Sequence, residues 1–277
     1  MTAAGNYILN GIDKLGFKFI SLIDYTIRVL LMIYLSFRAA FFDQAQGLKT
    51  VFSVVSAQVY FTGWQALPLI TVLSLAAGSV VIMQASFQLT FLGGQDMIGS
   101  LLVAIIVREI GPLLTALVVI ARSGTAVASE IGTMKVNKEI EALEVLGINP
   151  LSYIVFPRIL GGVVSVVCLA FYFIFAALMG GYLVTKMSLD LPFAFYFNSI
   201  SQAFTSSDLT LFLLKNLFSG TIIFVVSCYQ GLQVKRSPNE VPQVTTKAVV
   251  NSIIYVIGFN LIVTTLFYLN KMGLGVF

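Results

Sequence analysis

Met97–Ala121 reads MIGSLLVAIIVREIGPLLTALVVIA, with Arg108-Glu109-Ile110-Gly111-Pro112 at its centre. About 20 apolar residues in a helix cross the roughly 30 Å hydrocarbon core of a bilayer. This stretch is long enough, yet it carries two charges midway. A charge at that depth costs several kcal/mol on insertion scales, so it faces a bundle interior, a partner or a polar cavity. Two readings follow from sequence. In one, Arg108 and Glu109 neutralise each other and staple two helices; in the other, they serve a substrate or gating site. Consecutive helical residues lie about 100° apart, so the two side chains need not bond each other.

The composition agrees with a bilayer environment. Of 277 residues 58% are hydrophobic and 10% charged, against roughly 25% charged in soluble domains. The chain reads as an all-α integral membrane protein. Its net charge of +4 reports orientation before it reports any nucleic-acid partner, and none is expected. Histidine is absent, which removes the commonest general base and metal ligand. Cys168 and Cys228 fall inside apolar segments without metal-ligand spacing. Neither a metal site nor a cofactor is expected. The first apolar run begins near Phe19, after Asp13, Lys14 and Lys18, with no small-residue cleavage site behind it. No removable signal or transit peptide is expected.

Five segments have spanning length: 66–92, 97–121, 159–185, 209–233 and 248–270. The first, third and fifth carry no charge, the second carries Arg108 and Glu109, and the fourth carries Lys215. Segment 19–43 differs. Ile20, Ile23, Ile27, Leu30, Tyr34 and Phe41 share one helical face, while Ser21, Asp24 and Arg28 form a polar stripe. Asp24 and Arg28 are spaced to pair. This pattern reads as an interfacial helix lying on the membrane, with a sixth span as the alternative. No boundary separates a soluble domain, so residues 1–277 are expected to form a single transmembrane domain.

Five crossings put the termini on opposite sides. One side collects Lys14, Lys18, Arg28, Arg38 and Lys49, then Arg122, Lys135, Lys138 and Arg158, then Lys235, Arg236 and Lys247. The other keeps only Lys186 and Lys271. The positive-inside rule places the N-terminus in the cytoplasm and the C-terminus outside it.

The connection 122–158 has a first half, Ala121–Ser129, rich in residues that let helices approach closely. Its second half carries helix punctuation. Asn137 suits an N-cap, Glu139 a first turn and Gly147 a left-handed C-terminal position, with Pro150 beyond. Ile140, Leu143 and Leu146 recur at three-residue spacing, with Glu141 and Glu144 on other faces. A short amphipathic helix over 137–147 is expected. A helix this short is marginal alone. It packs either on its own bundle or, as a coupling helix, in a cleft of a cytoplasmic motor subunit.

Arg108-Glu109-Ile-Gly-Pro, Ala121-Arg122-Ser-Gly-Thr-Ala-Val-Ala-Ser-Glu130-Ile-Gly-Thr-Met, the Glu139–Gly147 helix and Asn149-Pro150 through Pro157-Arg158 closely resemble the MlaE (YrbE) permease family. These are transmembrane subunits of ABC transporters that move lipids between bacterial membranes. The span pattern matches over roughly residues 10 to 275, most specifically over 108–158. The resemblance implies an N-terminal interfacial helix, five transmembrane helices and a multi-pass protein of the bacterial inner membrane. It further implies a homodimer, a cytoplasmic ABC ATPase dimer at the coupling helix, a periplasmic MCE-domain protein, and phospholipid in a cavity at the dimer interface. Arg108, Glu109 and Lys215 match the family's charged cavity positions. An Arg fork suits phosphate, Glu109 would orient or temper it, and Lys215 is either a second phosphate contact or a residue snorkelling to outer headgroups. ATPase coupling would fall to Glu139, Ile140, Glu141, Leu143, Glu144, Leu146 and Gly147.

Other classes fit less well. Glu141-Ala142-Leu143-Glu144-Val145-Leu146-Gly147 also resembles the E-A-A-x-x-x-G docking loop of small-solute importer permeases, but Leu143 replaces the second Ala. An ion-coupled secondary transporter would use Arg108, Glu109 and Lys215 as a relay, yet the span lengths show no internal repeat. The chain has no nucleophile constellation and no phosphate-binding loop, so it reads as a non-catalytic subunit whose ATP is hydrolysed by another chain. Gly93-Gly94, Gly161-Gly162 and Gly180-Gly181 read as turn or packing positions.

Overall fold

The computed structural model describes residue 20 and residues 23–40, 48–92, 97–189, 192–235 and 237–271. Among them every regular element is helical: α1 (residues 23–40), α2 (Leu48–Thr62), α3 (Leu67–Leu92), α4 (Ile98–Val136), α5 (Glu139–Val145), α6 (Phe156–Leu189), α7 (Phe193–Ala203), α8 (Ser206–Leu232) and α9 (Glu240–Lys271). Ser21, Phe41, Asp43 and Gly93-Gly94 lie outside the described residues. Five helical stretches are long and apolar enough to cross a membrane, at Val51–Phe87, Ile98–Val136, Leu151–Met187, Ser206–Leu232 and Glu240–Lys271.

α6 and α8 form the centre of the bundle. α2, α3 and α8 pack on α6; α4 and α9 pack on α8. Small residues set the closest crossing. A Cβ on Gly78 of α3 would overlap the Ala177 carbonyl of α6, and one on Gly180 would press on Leu75. Thr71 and Tyr172 hydroxyls meet at 2.7 Å across the same seam. Gly78 is therefore used inside the protomer, as is Gly124, which packs on Ser227 and Ile223 of α8, while Ala76 stays exposed. Gly162 faces the Phe224 ring in the same way.

Three departures from the sequence reading matter. α4 does not stop at Ala121 but continues to Val136. Gly124 sits against α8, and Gly132 against Val234 and Val241 at the start of α9, so they serve packing instead of breaking the helix. α2 fills the region before the first expected span. It joins α3 through a break at Gly63 and the short turn Trp64–Ala66. α7 occupies what reads as a simple loop. It lies against the start of α4, where the backbone at Ser199 leaves no room for a Cβ on Gly99. Tyr196 of α7 is buried and donates to the Leu178 carbonyl at 3.0 Å; burial pushes its phenol above the usual tyrosine range.

α1 packs with Met32, Ser36 and Ala39 turned inward. Tyr25 is held by Gln230 at 3.0 Å and by the rings of Tyr229 and Tyr255. Ile23, Ile27, Leu30 and Tyr34 remain exposed, and Asp24 pairs with Arg28 at 2.7 Å. An apolar stripe thus faces outward along α1 beside the Asp24–Arg28 pair.

Candidate functional site

Pro112 decides the local backbone around the two charges. In a regular helix the carbonyl of residue 108 accepts from the N–H of residue 112, which proline lacks, and the ring crowds that carbonyl. α4 adopts a π-helical turn over Val103–Ile110 before Gly111–Val119 resumes α geometry. Such widened turns recur at functional sites. The freed Arg108 carbonyl accepts from Lys215 Nζ of α8 at 2.6 Å.

Lys215 is fully buried, and its Nζ also lies 3.0 Å from each Glu109 carboxylate oxygen. Three donors thus face three acceptors. Thr264 of α9 donates to the same carboxylate at 3.0 and 3.2 Å. The Glu109 side chain itself stays 38% exposed, so this pair has one open edge.

Arg108 turns away from its neighbour. Its Nε lies 2.8 Å from Asp208 Oδ1 in the first turn of α8. The other Asp208 oxygen accepts from the Thr205 backbone N–H at 3.1 Å, completing a capping box with Thr205. The Phe267 ring of α9 covers the guanidinium, with Cζ 5.6 Å from its centroid.

The result is a neutral cluster of two crossed ion pairs binding α4, α8 and α9. Arg108 and Glu109 do not neutralise each other; each finds its counter-charge on α8. Arg108 lies ten residues, about 15 Å, from the start of α4, and Lys215 nine residues, about 14 Å, from the start of α8. Both ends lie on the side of the bundle where α7 packs, so Arg108, Glu109 and Lys215 sit at similar depth, while Asp208 lies nearer that end, in the first turn of α8. Lys215 is not snorkelling there: it points into the bundle.

The sequence reading missed Asp208, Thr264 and Phe267. Its fourth span begins at residue 209, three residues after α8 starts, and so leaves Asp208 out. The signal for Asp208 was present as Thr205-x-x-Asp208, a capping-box spacing ahead of an apolar run. Thr264 and Phe267 carry no such mark, because only the register of α9 against α4 brings them in.

At the opposite end, α5 is shorter than expected and differently capped. Lys138, at φ 58°, takes the N-cap position, while Asn137 donates from its side chain to Glu139 Oε1 at 3.1 Å. Gly147 closes the helix at φ 75°. The expected stripe is split. Ile140 is buried and Leu143 half-buried against the chain's own core, whereas Val145 and Leu146 are 87% and 73% exposed. A two-turn helix needs support, and this one draws it from α4, including the Lys135–Glu141 pair at 3.1 Å. Glu139 and Glu144 face outward. Nearby, Arg158 holds Glu130 through two bonds of 2.7 and 2.8 Å, and Arg122 binds the Phe61 carbonyl at 2.7 Å and Gln65 at 2.8 Å.

Five helices long and apolar enough to cross a membrane, tied together by buried ion pairs, mark a multi-pass membrane protein. The family model described as Permease MlaE matches residues 55–266, and the chain belongs to that family of ABC transporter permeases. Among relatives, a "Probable ABC transporter permease protein" of Rickettsia conorii is 34% identical over 216 residues, covering 78% of this chain and 83% of its own length. One of that description from Synechocystis is 28% identical over 211 residues, covering 76% and 80%. The "Intermembrane phospholipid transport system permease protein MlaE" of Haemophilus influenzae is 26% identical over 222 residues, covering 80% and 85%.

Proposed function

We propose that this permease moves phospholipids between the inner and outer membranes of a bacterium. It works as a homodimer with a cytoplasmic ATPase dimer and a periplasmic MCE-domain protein. The observation that carries the reading is the buried charge cluster inside an otherwise apolar bundle. A phosphate entering a low-dielectric cavity loses its hydration, and a guanidinium returns part of that cost through two parallel hydrogen bonds. Arg108 is the phosphate contact. Glu109 presents the open edge of the cluster, and Lys215 behind it fixes that edge in place. The printed name of the Haemophilus influenzae relative supports the substrate class.

The α5 end lies in the cytoplasm, because Lys135, Lys138 and Arg158 collect there, while Lys186 and Lys271 belong to the other end. Docking of the ATPase uses the exposed Val145–Leu146 tip, with Glu139, Glu141 and Glu144 around it and Gly147 fixing its direction. Ile140 and Leu143 seat the helix on its own bundle. α9 is the span least covered by the chain itself, 17% buried against 61% for α4. Its outward face is therefore available to a second protomer or to lipid.

The test is photo-crosslinking to lipid from positions 108 and 109 in membranes, paired with transport by Arg108→Ala and Glu109→Ala. Crosslinks to phospholipid and a loss of transport are expected. Absence of crosslinks together with normal transport by both variants would make the charges purely structural.

A further inference from the structure

The guanidinium assigned to phosphate already has a counter-charge beside it. Arg108 Nε is 2.8 Å from the Asp208 carboxylate, its plane is covered by Phe267, and its side chain is only 10% exposed. Asp208 is 1% exposed and offers the guanidinium what a phosphate would offer: a charged oxygen at hydrogen-bonding distance. Phe267 also forms a wall of a groove of about 460 Å³ between α8 and α9, with Ser207, Thr210 and Asn270 as polar lining and Leu214 and Leu266 as apolar lining. A headgroup with the first segment of its acyl chains matches that mixture.

We propose that Asp208 is a built-in competitor for Arg108, a positioning residue whose carboxylate leaves the guanidinium when a lipid phosphodiester takes its place and returns to expel it. The inference rests on the phospholipid reading above and deepens it. Three features fit Asp208 to the task. Its second oxygen is anchored by the Thr205 N–H at 3.1 Å, so the carboxylate keeps a fixed pivot at the head of α8. It belongs to the helix that carries Lys215, whose contacts with Glu109 and the Arg108 carbonyl hold α4 to α8 while the Arg108 guanidinium changes partners. A competitor of equal charge also leaves the cluster neutral once the lipid has left. With lipid bound, Asp208 keeps only the Thr205 N–H and lacks a counter-charge, and that cost favours its return to Arg108 and release of the lipid.

The experiment uses the full-length permease reconstituted into nanodiscs, with tail-labelled phosphatidylglycerol and phosphatidylcholine as probes. Dissociation of each is followed for the wild type, Asp208→Asn, Asp208→Glu and Arg108→Ala. Asp208→Asn is expected to hold phosphatidylglycerol about ten-fold longer, the scale of one charge-assisted hydrogen bond. It should also raise the preference for phosphatidylglycerol over phosphatidylcholine, with slower transport. Asp208→Glu, which restores the charge, should lie nearer the wild type. Damage to the fold would shorten retention of both lipids, so a selective gain is not a structural effect. Unchanged or shortened retention in Asp208→Asn overturns the inference. So does a gain that excess inorganic phosphate abolishes, since that assigns the site to a soluble anion. If Arg108→Ala fails to shorten phosphatidylglycerol retention, the phospholipid reading itself fails; if it does shorten it while Asp208→Asn changes nothing, only the competitor role falls.

Discussion

The two ends of α4 carry charges under opposite conditions. Toward the α7 end, Arg108, Asp208, Glu109 and Lys215 form crossed pairs in which Lys215 is 0% and Asp208 1% exposed. Toward the α5 end, Arg158–Glu130 and Lys135–Glu141 are equally short, at 2.7 and 3.1 Å, but their acids are 57% and 47% exposed. Distance alone does not rank them. In the first region removing a partner leaves Arg108, Asp208 or Lys215 buried without a counter-charge, or Glu109 with only its open edge and Thr264; in the second, water takes the place of the lost partner. The same residue types therefore fix the architecture at one end and adjust a surface at the other.

Lys215→Met is the variant that should break this contrast most visibly. It strips Glu109 of its cation and the Arg108 carbonyl of its donor, so a loss of about 3–5 kcal/mol is expected, read from the thermal midpoint of the detergent-purified protein. A loss no larger than that of a surface pair would show that the cluster is hydrated. Adding Glu109→Gln to Lys215→Met removes the stranded charge and should restore about half or more of that loss, because most of the penalty lies in the unpaired ion. Strictly additive losses would contradict this. Glu130→Gln, at the wetter end, should cost about 0.5–1 kcal/mol despite breaking two short bonds. Leu146→Asp should change stability least, by no more than about 0.5 kcal/mol, because its side chain is largely solvent-facing. Its expected effect lies elsewhere: the ATPase subunits should no longer co-purify. Retained co-purification and transport would reassign the docking surface.

How much of this could be read from sequence depended on the range of the interactions involved. The five spans were legible because hydropathy is a local sum, and Arg108 and Glu109 stood out because charge is scarce in such segments. Gly147 was legible as a left-handed helix end. The pairing of the charges was not, because it depends on how α4, α8 and α9 are rotated against one another, which no single segment encodes. α4 was cut short at Ala121 because polarity rises there, although helix geometry continues wherever small residues find a neighbouring helix. The split of Ile140 and Leu143 from Leu146 was invisible for a related reason: three-residue spacing shows that residues share a face, but not where along the helix its support ends.

α4 also makes the two regions parts of one lever. From Glu109 to Val136 the chain stays helical, about 40 Å of rod at 1.5 Å per residue. The α5 tip hangs directly from its far end. Tilting a rod of that length by about 5° swings its end through about 3–4 Å, roughly two helical residues of rise. A displacement too small to break any contact at the fulcrum is therefore magnified into a step that a docked neighbour would register.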